Sequence, residues 1–191
     1  RISNGLPGSM KLAVPFYSQK WELSAWRSLG FDSLEDATFW EKSSCGILCL
    51  KMAMEALLST QGEPFSPSIA SLIRKGVALS AYADAIGWDH RGLASLAASY
   101  GFFATRESVR PGGLCEALER GSSPIVSIKW AFDPTKSWKE RLMFWKRFGG
   151  HLALVVGFET EGKRLTGFYV HHTSTSADHN WPYAFIPLET F

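Results

Sequence analysis

From Cys45 to about Thr60 the apolar residues Ile47, Leu50, Met54, Leu57 and Leu58 recur at helical spacing, and no proline interrupts the run before Gly62. Ser44 stands at the N-cap position and Cys45 in the first turn. A different rhythm governs residues 149–173 (GGHLALVVGFETEGKRLTGFYVHHT), where two strand-like runs flank the turn signal Glu161-Gly162. Leu152, Leu154, Val156 and Phe158 fall on one face of that hairpin; Ala153, Val155, Phe168 and Val170 fall on the other. Two apolar faces are the pattern of central strands covered on both sides. A hairpin pivoting between Glu161 and Gly162 sets His151 directly opposite His172 on one face and turns His171 to the other.

The rest of the chain punctuates itself clearly. Residues 12–17 (LAVPFY) form a short extended piece, kept out of helix by Pro15, that delivers Ser18 and Gln19. Residues 20–42 lack clean periodicity and read as a long loop with one short helix. Ser66-Pro67 predicts a helix from Pro67 to Lys75 stopped at Gly76; Asp89 caps another from His90 to Tyr100, with Gly101 after it. A third short helix runs from Gly113 to Arg120, stopped by Gly121, and its Cys115 reads as core or inert surface. Pro124 introduces a strand from Ile125 to Trp130. Residues 133–148 (DPTKSWKERLMFWKRF) place Trp138, Leu142 and Trp145 on one helical face, which reads as an amphipathic helix packed on the domain.

Composition narrows the class. With 191 residues, 46% of them hydrophobic, the chain can bury the core of one globular domain. Residues 1–9 (RISNGLPGS) read as an appended tag remnant, leaving 10–191 as a single domain with no linker that would split it. A net charge of +2 gives no sign of nucleic-acid binding. Eight tryptophans and thirteen phenylalanines point to aromatic packing or an aromatic-lined groove. Three cysteines, without a CxxC pair or a Cys/His cluster of zinc spacing, form neither a disulfide scaffold nor a metal site. No apolar run reaches transmembrane length and no signal peptide is recognisable, so a cytoplasmic location is the expectation.

The candidate chemistry is nucleophilic. A thiol in the first turn of a helix meets unpaired N–H groups and the positive end of the helix dipole, a setting that lowers its pKa. A small buried cysteine that merely packs is the default for Cys45 alone, as a satisfied core histidine is for His151 and ordinary surface for Gln19. Together they match what a cysteine nucleophile requires: a base, a group that orients the base, and donors for an oxyanion. Cys45 would be the nucleophile and His151 the base. His172 would be the orienting partner, with Asp178 as the alternative third group. Gln19 and the Cys45 N–H would hold the oxyanion. Cys49, four residues on, reads as packing.

The motifs VPFYSQ (14–19), Ser44-Cys45-Gly46, GHLALVVGF (150–158) and FYVHH (168–172), in this order, resemble the C39-like cysteine peptidases. The connecting GWDHRGL (87–93) and PIVSI (124–128) are similar to that family's connecting segments, and the likeness spans about Val14 to Thr173. It implies a papain-like α+β fold, with the nucleophile at the N-terminus of a central helix packed against an antiparallel sheet. It implies peptide or amide hydrolysis through a thioacyl-enzyme, with a peptide or protein substrate and no metal or organic cofactor. By the same resemblance Gln19 is the oxyanion residue, Cys45 the nucleophile and His151 the base. The chain departs from the family where Ile47 replaces the proline of Cys-Gly-Pro, and where His172-Thr173 replaces Asp or Asn followed by proline. A neutral imidazole at 172 lacks a carboxylate's charge and stabilises an imidazolium less well. Two other readings fit the same residues: a catalytically impaired peptide-binding pseudoenzyme, and an acyl- or amide-transferring relative.

Overall fold

A computed structural model describes residues 8–128, 151–176 and 179–191. The expected amphipathic helix at 133–148, the last two residues of the strand expected at 125–130, and Asp178 lie outside the described residues.

The fifteen-residue helix predicted at Cys45 is the centre of the molecule. It spans Cys45–Ser59 (α2), and Gly46, Ile47, Leu48, Cys49, Leu50, Met52 and Met54 are all buried, so most of its first turns lies inside the fold, with Cys45 and Lys51 only partly covered. A helix apolar all round must lie inside the fold. Before it come a two-residue strand Met10–Lys11 (β1), an irregular extended segment, a 3₁₀ turn at Leu23–Ala25 and a helix Leu34–Glu41 (α1), which Ser33 caps by accepting a hydrogen bond from the Asp36 N–H. The expected loop over 20–42 thus holds one α-helix and one 3₁₀ turn.

The next helix spans Ile69–Ala78 (α3), two residues later than predicted, because Ser68 rather than Ser66 is the cap. Gly76 does not stop it. A Cβ at Gly76 would lie 2.6 Å from the Trp88 ring, so this glycine permits close packing. A small antiparallel pair, Tyr82–Ala83 (β2) with Gly87–Trp88 (β3), follows; the sequence reading lacked it. Asp89 caps the helix His90–Ala98 (α4) as expected, by accepting from the Gly92 N–H. Gly101 and Gly121 take positive φ just past α4 and past the helix Pro111–Glu119 (α5).

The sheet is antiparallel throughout. Ile125–Ile128 (β4) and β1 both pair one edge of the long strand His151–Glu161 (β5), which pairs Arg164–His172 (β6), which pairs Trp181–Pro187 (β7). The sequence reading had no strand at β7. Strand β5 is covered on both sides: Leu152, Leu154 and Val156 join the core built on α2, α3 and α4, whereas Ala153, Val155 and Phe158 join a second core with α5, Phe168, Val170 and Ile186. Phe158 was expected on the other face. A bulge between Val155 and Gly157 inserts one extra residue and reverses the alternation beyond it.

The hairpin register also differs from expectation. The turn falls at Gly162-Lys163, Glu161 pairs Arg164, and a second irregularity between Glu159 and Thr160 shifts the ladder again. The expected pairing of His151 with His172 is therefore not formed: His171 faces Leu154 of β5, and His151 lies opposite Ile128 of β4. The chain is thus a mixed α and β fold of helices against an antiparallel sheet. Among the described residues no helix is long and apolar enough to cross a membrane.

Candidate active site

Cys45 is placed by contacts on both sides of its peptide. The Trp88 indole N–H donates to the Ser43 carbonyl at 2.6 Å, fixing the chain just before the helix. A Cβ on Gly46 would sit 2.7 Å from Trp88 Cβ and 3.0 Å from Leu152 Cδ1, so only glycine lets α2 begin this close to β5. Ser44 occupies the N-cap position, but its hydroxyl does not cap the helix: it is fully buried with no hydrogen-bond partner among the described residues, and its backbone (φ −90°, ψ 2°) is not the extended cap conformation.

The thiol is half-buried against the start of β5. Burial pushes its pKa up; hydrogen bonding from the backbone at Leu152, Gly46 and Cys45 itself pulls the other way without overcoming it. The expected lowering at the helix terminus is therefore outweighed by desolvation. One turn on, the Cys49 S–H points to the Leu152 carbonyl at 3.6 Å, and burial holds that thiol well up. Leu152 thus meets both thiols, one with each side of its backbone.

His151 opens β5, the residue before Leu152. Its Nε2 lies 2.6 Å from the Thr173 carbonyl oxygen. A carbonyl only accepts, so Nε2 carries the proton and Nδ1 bears the lone pair. Burial first, and the neighbouring His172 second, lower its pKa to about 4 against the opposing pull of the Thr173 carbonyl. His151 is consequently neutral at pH 7. Its ring centroid is 4.8 Å from that of His172, the planes tilted by 56°. The two imidazoles are in ring contact, but not as the directly opposed cross-strand pair that was expected. His172 Nδ1 donates to the His179 carbonyl at 2.7 Å and its ring rests on Trp181 at 5.2 Å. The acceptor that orients His151 is the Thr173 backbone, not the His172 side chain as expected.

Gln19 arrives by a different route. Leu12 N–H donates to the Val156 carbonyl at 2.8 Å, and the Val14 carbonyl accepts from His171 Nε2 at 3.1 Å. His171 Nδ1 accepts the Tyr183 N–H at 3.1 Å, and the Tyr183 hydroxyl reaches back to Leu12 and Val14. Tyr17, further along, donates its hydroxyl to Glu55 on α2 at 2.7 Å. These ties hold the extended segment between the sheet and α2 and bury Gln19 to 3% exposure, where its Oε1 accepts from the Thr173 hydroxyl at 3.4 Å. Tyr183 takes positive φ (53°) at this clamp.

Gln19, Thr173, His151 and His172 thus form one connected group, and Cys45 abuts it through Leu152. Among the described residues Cys45 has no hydrogen bond to His151 or Gln19. Sequence reasoning missed Thr173, whose one signal was that it stands where the resemblance leads one to expect proline. It also missed Tyr183, which contributes mostly through backbone partners that leave no motif. Among the described residues no cluster of three or more His, Cys, Asp or Glu side chains is arranged to hold a metal ion. No protein-family model, no curated protein and no solved structure matches this chain.

Proposed function

We propose that this chain is a cysteine-dependent hydrolase of peptide or amide bonds with a papain-like arrangement of helix and sheet. The observation that carries the reading is the state of His151. With Nε2 tied to the Thr173 carbonyl, the nitrogen left with a lone pair is Nδ1, on the residue next to the one whose backbone meets the Cys45 sulfur. A base needs that combination: an orienting acceptor on one nitrogen and a free lone pair on the other.

The resting pair is a thiol and a neutral imidazole, so proton transfer accompanies attack. His151 Nδ1 takes the Cys45 proton as the sulfur bonds to the substrate carbonyl carbon. The resulting oxyanion is met by the Cys45 N–H at the start of α2 and by the Gln19 side-chain amide. His151 then gives its proton to the leaving amine, and a water activated by the same imidazole releases the acyl group from sulfur. The test is a fluorogenic peptide library against the wild type and the Cys45→Ala and His151→Ala variants, with mass spectrometry of the trapped acyl-enzyme. Turnover lost in both variants supports the hydrolase.

A second reading has one observation in its favour. Burial holds the Cys45 thiol up and His151 down to about 4, which is how a cleft that binds peptides without turning them over would look. Peptide binding retained in Cys45→Ala, with no acyl-enzyme in the wild type, would establish it. An acyl- or amide-transferring relative shares every residue named and would reveal itself by a transfer product when an amine acceptor is supplied.

A further inference from the structure

The proposed base and the proposed oxyanion donor enter the site from opposite ends of the chain, Gln19 from the N-terminal segment and His151 from β5. Both end on the same residue. The Thr173 carbonyl receives the His151 Nε2–H at 2.6 Å, while the Thr173 hydroxyl faces Gln19 Oε1 at 3.4 Å. Thr173 is fully buried, as Gln19 nearly is, so water does not compete for either contact. Thr173 follows directly on β6, and its neighbour Ser174 is tied down by its N–H to the Asn180 side chain at 2.9 Å, so the residue has little freedom to shift.

The two contacts do different things. The carbonyl fixes the tautomer of His151 without adding charge. The hydroxyl acts on an amide whose two ends are chemically opposite: an oxyanion needs the Gln19 NH₂ facing it, and the wrong end would present a carbonyl oxygen to a developing negative charge. A hydroxyl donating to Oε1 keeps that oxygen turned away and leaves the NH₂ for the site. A threonine with both arms committed thus stands in for the charged side chain that usually orients such a base.

Resting on the hydrolase reading above, we propose that Thr173 is the positioning residue of the site. Its carbonyl orients His151, and its hydroxyl sets which end of the Gln19 amide faces the Cys45 sulfur. Thr173→Val keeps the carbonyl and the shape but removes the hydroxyl; Thr173→Ser keeps both arms. The probe is a peptide aldehyde: the Cys45 sulfur bonds to its carbonyl carbon as the C=O π bond opens, and the thiol proton passes to that oxygen, giving a hemithioacetal whose oxygen lies where the oxyanion forms. Its affinity is measured by tryptophan fluorescence, and His151 is titrated by NMR in the same proteins, with circular dichroism to verify folding.

Thr173→Val should weaken the aldehyde about tenfold, the scale of one lost positioning hydrogen bond rather than of the donor itself. The His151 titration should stay unmoved, and Thr173→Ser should restore affinity to within about threefold. On a Gln19→Ala background Thr173→Val should cost less than about twofold, since the donor it positions is gone. Undiminished affinity in folded Thr173→Val, or a full tenfold loss on top of Gln19→Ala, overturns the inference and leaves the hydrolase reading standing. A wild type whose Cys45 takes up no aldehyde overturns both. If Thr173→Val fails to fold, Thr173→Ala, which also lacks the hydroxyl, decides instead: an affinity loss of about tenfold supports the inference and undiminished affinity overturns it.

Discussion

His151 donates its Nε2–H to the carbonyl of Thr173, 2.6 Å away, so the acceptor on that nitrogen is a backbone oxygen and not the His172 side chain. His172 acts on it instead through charge and ring contact, as the second cause, after burial, of the depressed His151 pKa. Replacing His172 with Phe keeps a ring against His151 and removes the titratable neighbour. The His151 pKa should then rise from about 4 toward the ordinary value, and the acidic limb of the kcat/KM profile should move up with it. His172→Asp should raise it further, since a carboxylate favours the imidazolium. Turnover at pH 7 should stay within about tenfold of wild type in both. A loss of a hundredfold or more in His172→Phe would mean that His172 orients the base after all.

Cys45 should label slowly with iodoacetamide at pH 7. Burial holds its thiol above the ordinary value, so the thiolate fraction and the rate should climb only as the pH rises past about 8.5. With the Cys45 pKa raised and the His151 pKa lowered by burial, His151→Ala should change the neutral-pH labelling rate by less than about twofold, while on the proposed mechanism it lowers kcat by about 10²–10⁴ through loss of the proposed general base. Cys49 and Cys115 should label more slowly still, both being fully buried, with the Cys115 thiol pushed up to about 11. Site-resolved mass spectrometry from pH 5 to 10 reads all three. Fast labelling at pH 6 that His151→Ala abolishes would show a resting thiolate–imidazolium pair.

Gly46 and Gly92 offer a controlled comparison. A methyl at Gly46 meets Trp88 at 2.7 Å and Leu152 at 3.0 Å, while one at Gly92 meets the Ala81 backbone at 2.3 Å. Both alanine variants should destabilise by about 1–3 kcal/mol, lowering Tm by roughly 2–12 °C. Only Gly46→Ala stands between Cys45 and the strand it must face. It should therefore also lower kcat at least about tenfold at temperatures where it is folded, a cost that small displacements of reacting groups impose. Equal activity losses in the two variants, measured well below both melting points, would separate Gly46 from the site.

What the sequence made legible here followed from periodicity and caps. The span of α2, the Asp89 cap, the two-faced burial of β5 and the position of Cys45 in a first turn are properties of short windows, and each appears where the pattern put it. The histidine register did not survive, because single extra residues near Val156 and Thr166 shift a ladder in a way alternation cannot announce. Thr173 and Tyr183 are illegible for another reason: Thr173 meets the His151 ring through its carbonyl and Tyr183 meets the His171 ring through its N–H, and a backbone group has no letter in a sequence. The Cys45 pKa went the other way because the dipole of a helix end is local and legible, whereas the depth at which that end is buried is a property of the whole fold.

Acid should unfold this protein through its histidines before its carboxylates. His171 is fully buried as a neutral ring whose two nitrogens are spoken for: Nδ1 accepts from Tyr183 and Nε2 donates to Val14. A second proton would face the Tyr183 N–H with no acceptor, and burial lowers the pKa accordingly. His151 is lowered to about 4 and His90, against Ser127, is lowered as well, in each case by burial first. A base whose folded pKa lies below its unfolded value binds fewer protons folded than unfolded, so the stability it contributes is complete above about pH 6.5 and drains away as the pH falls toward the folded value. For His151 that window runs from about 6.5 down to about 4. Urea midpoints should thus be level from pH 7 to 8 and fall steadily between pH 6.5 and 4. His151→Gln should flatten part of the fall. His171→Leu should remove another part while lowering stability at pH 7 by about 1–3 kcal/mol, because it leaves the Val14 carbonyl and the Tyr183 N–H without partners. The same variant should loosen the segment that carries Gln19, so its kcat should fall further than its KM rises. A midpoint that stays level down to pH 4.5 would mean these rings take up protons in the folded state as readily as in the unfolded one.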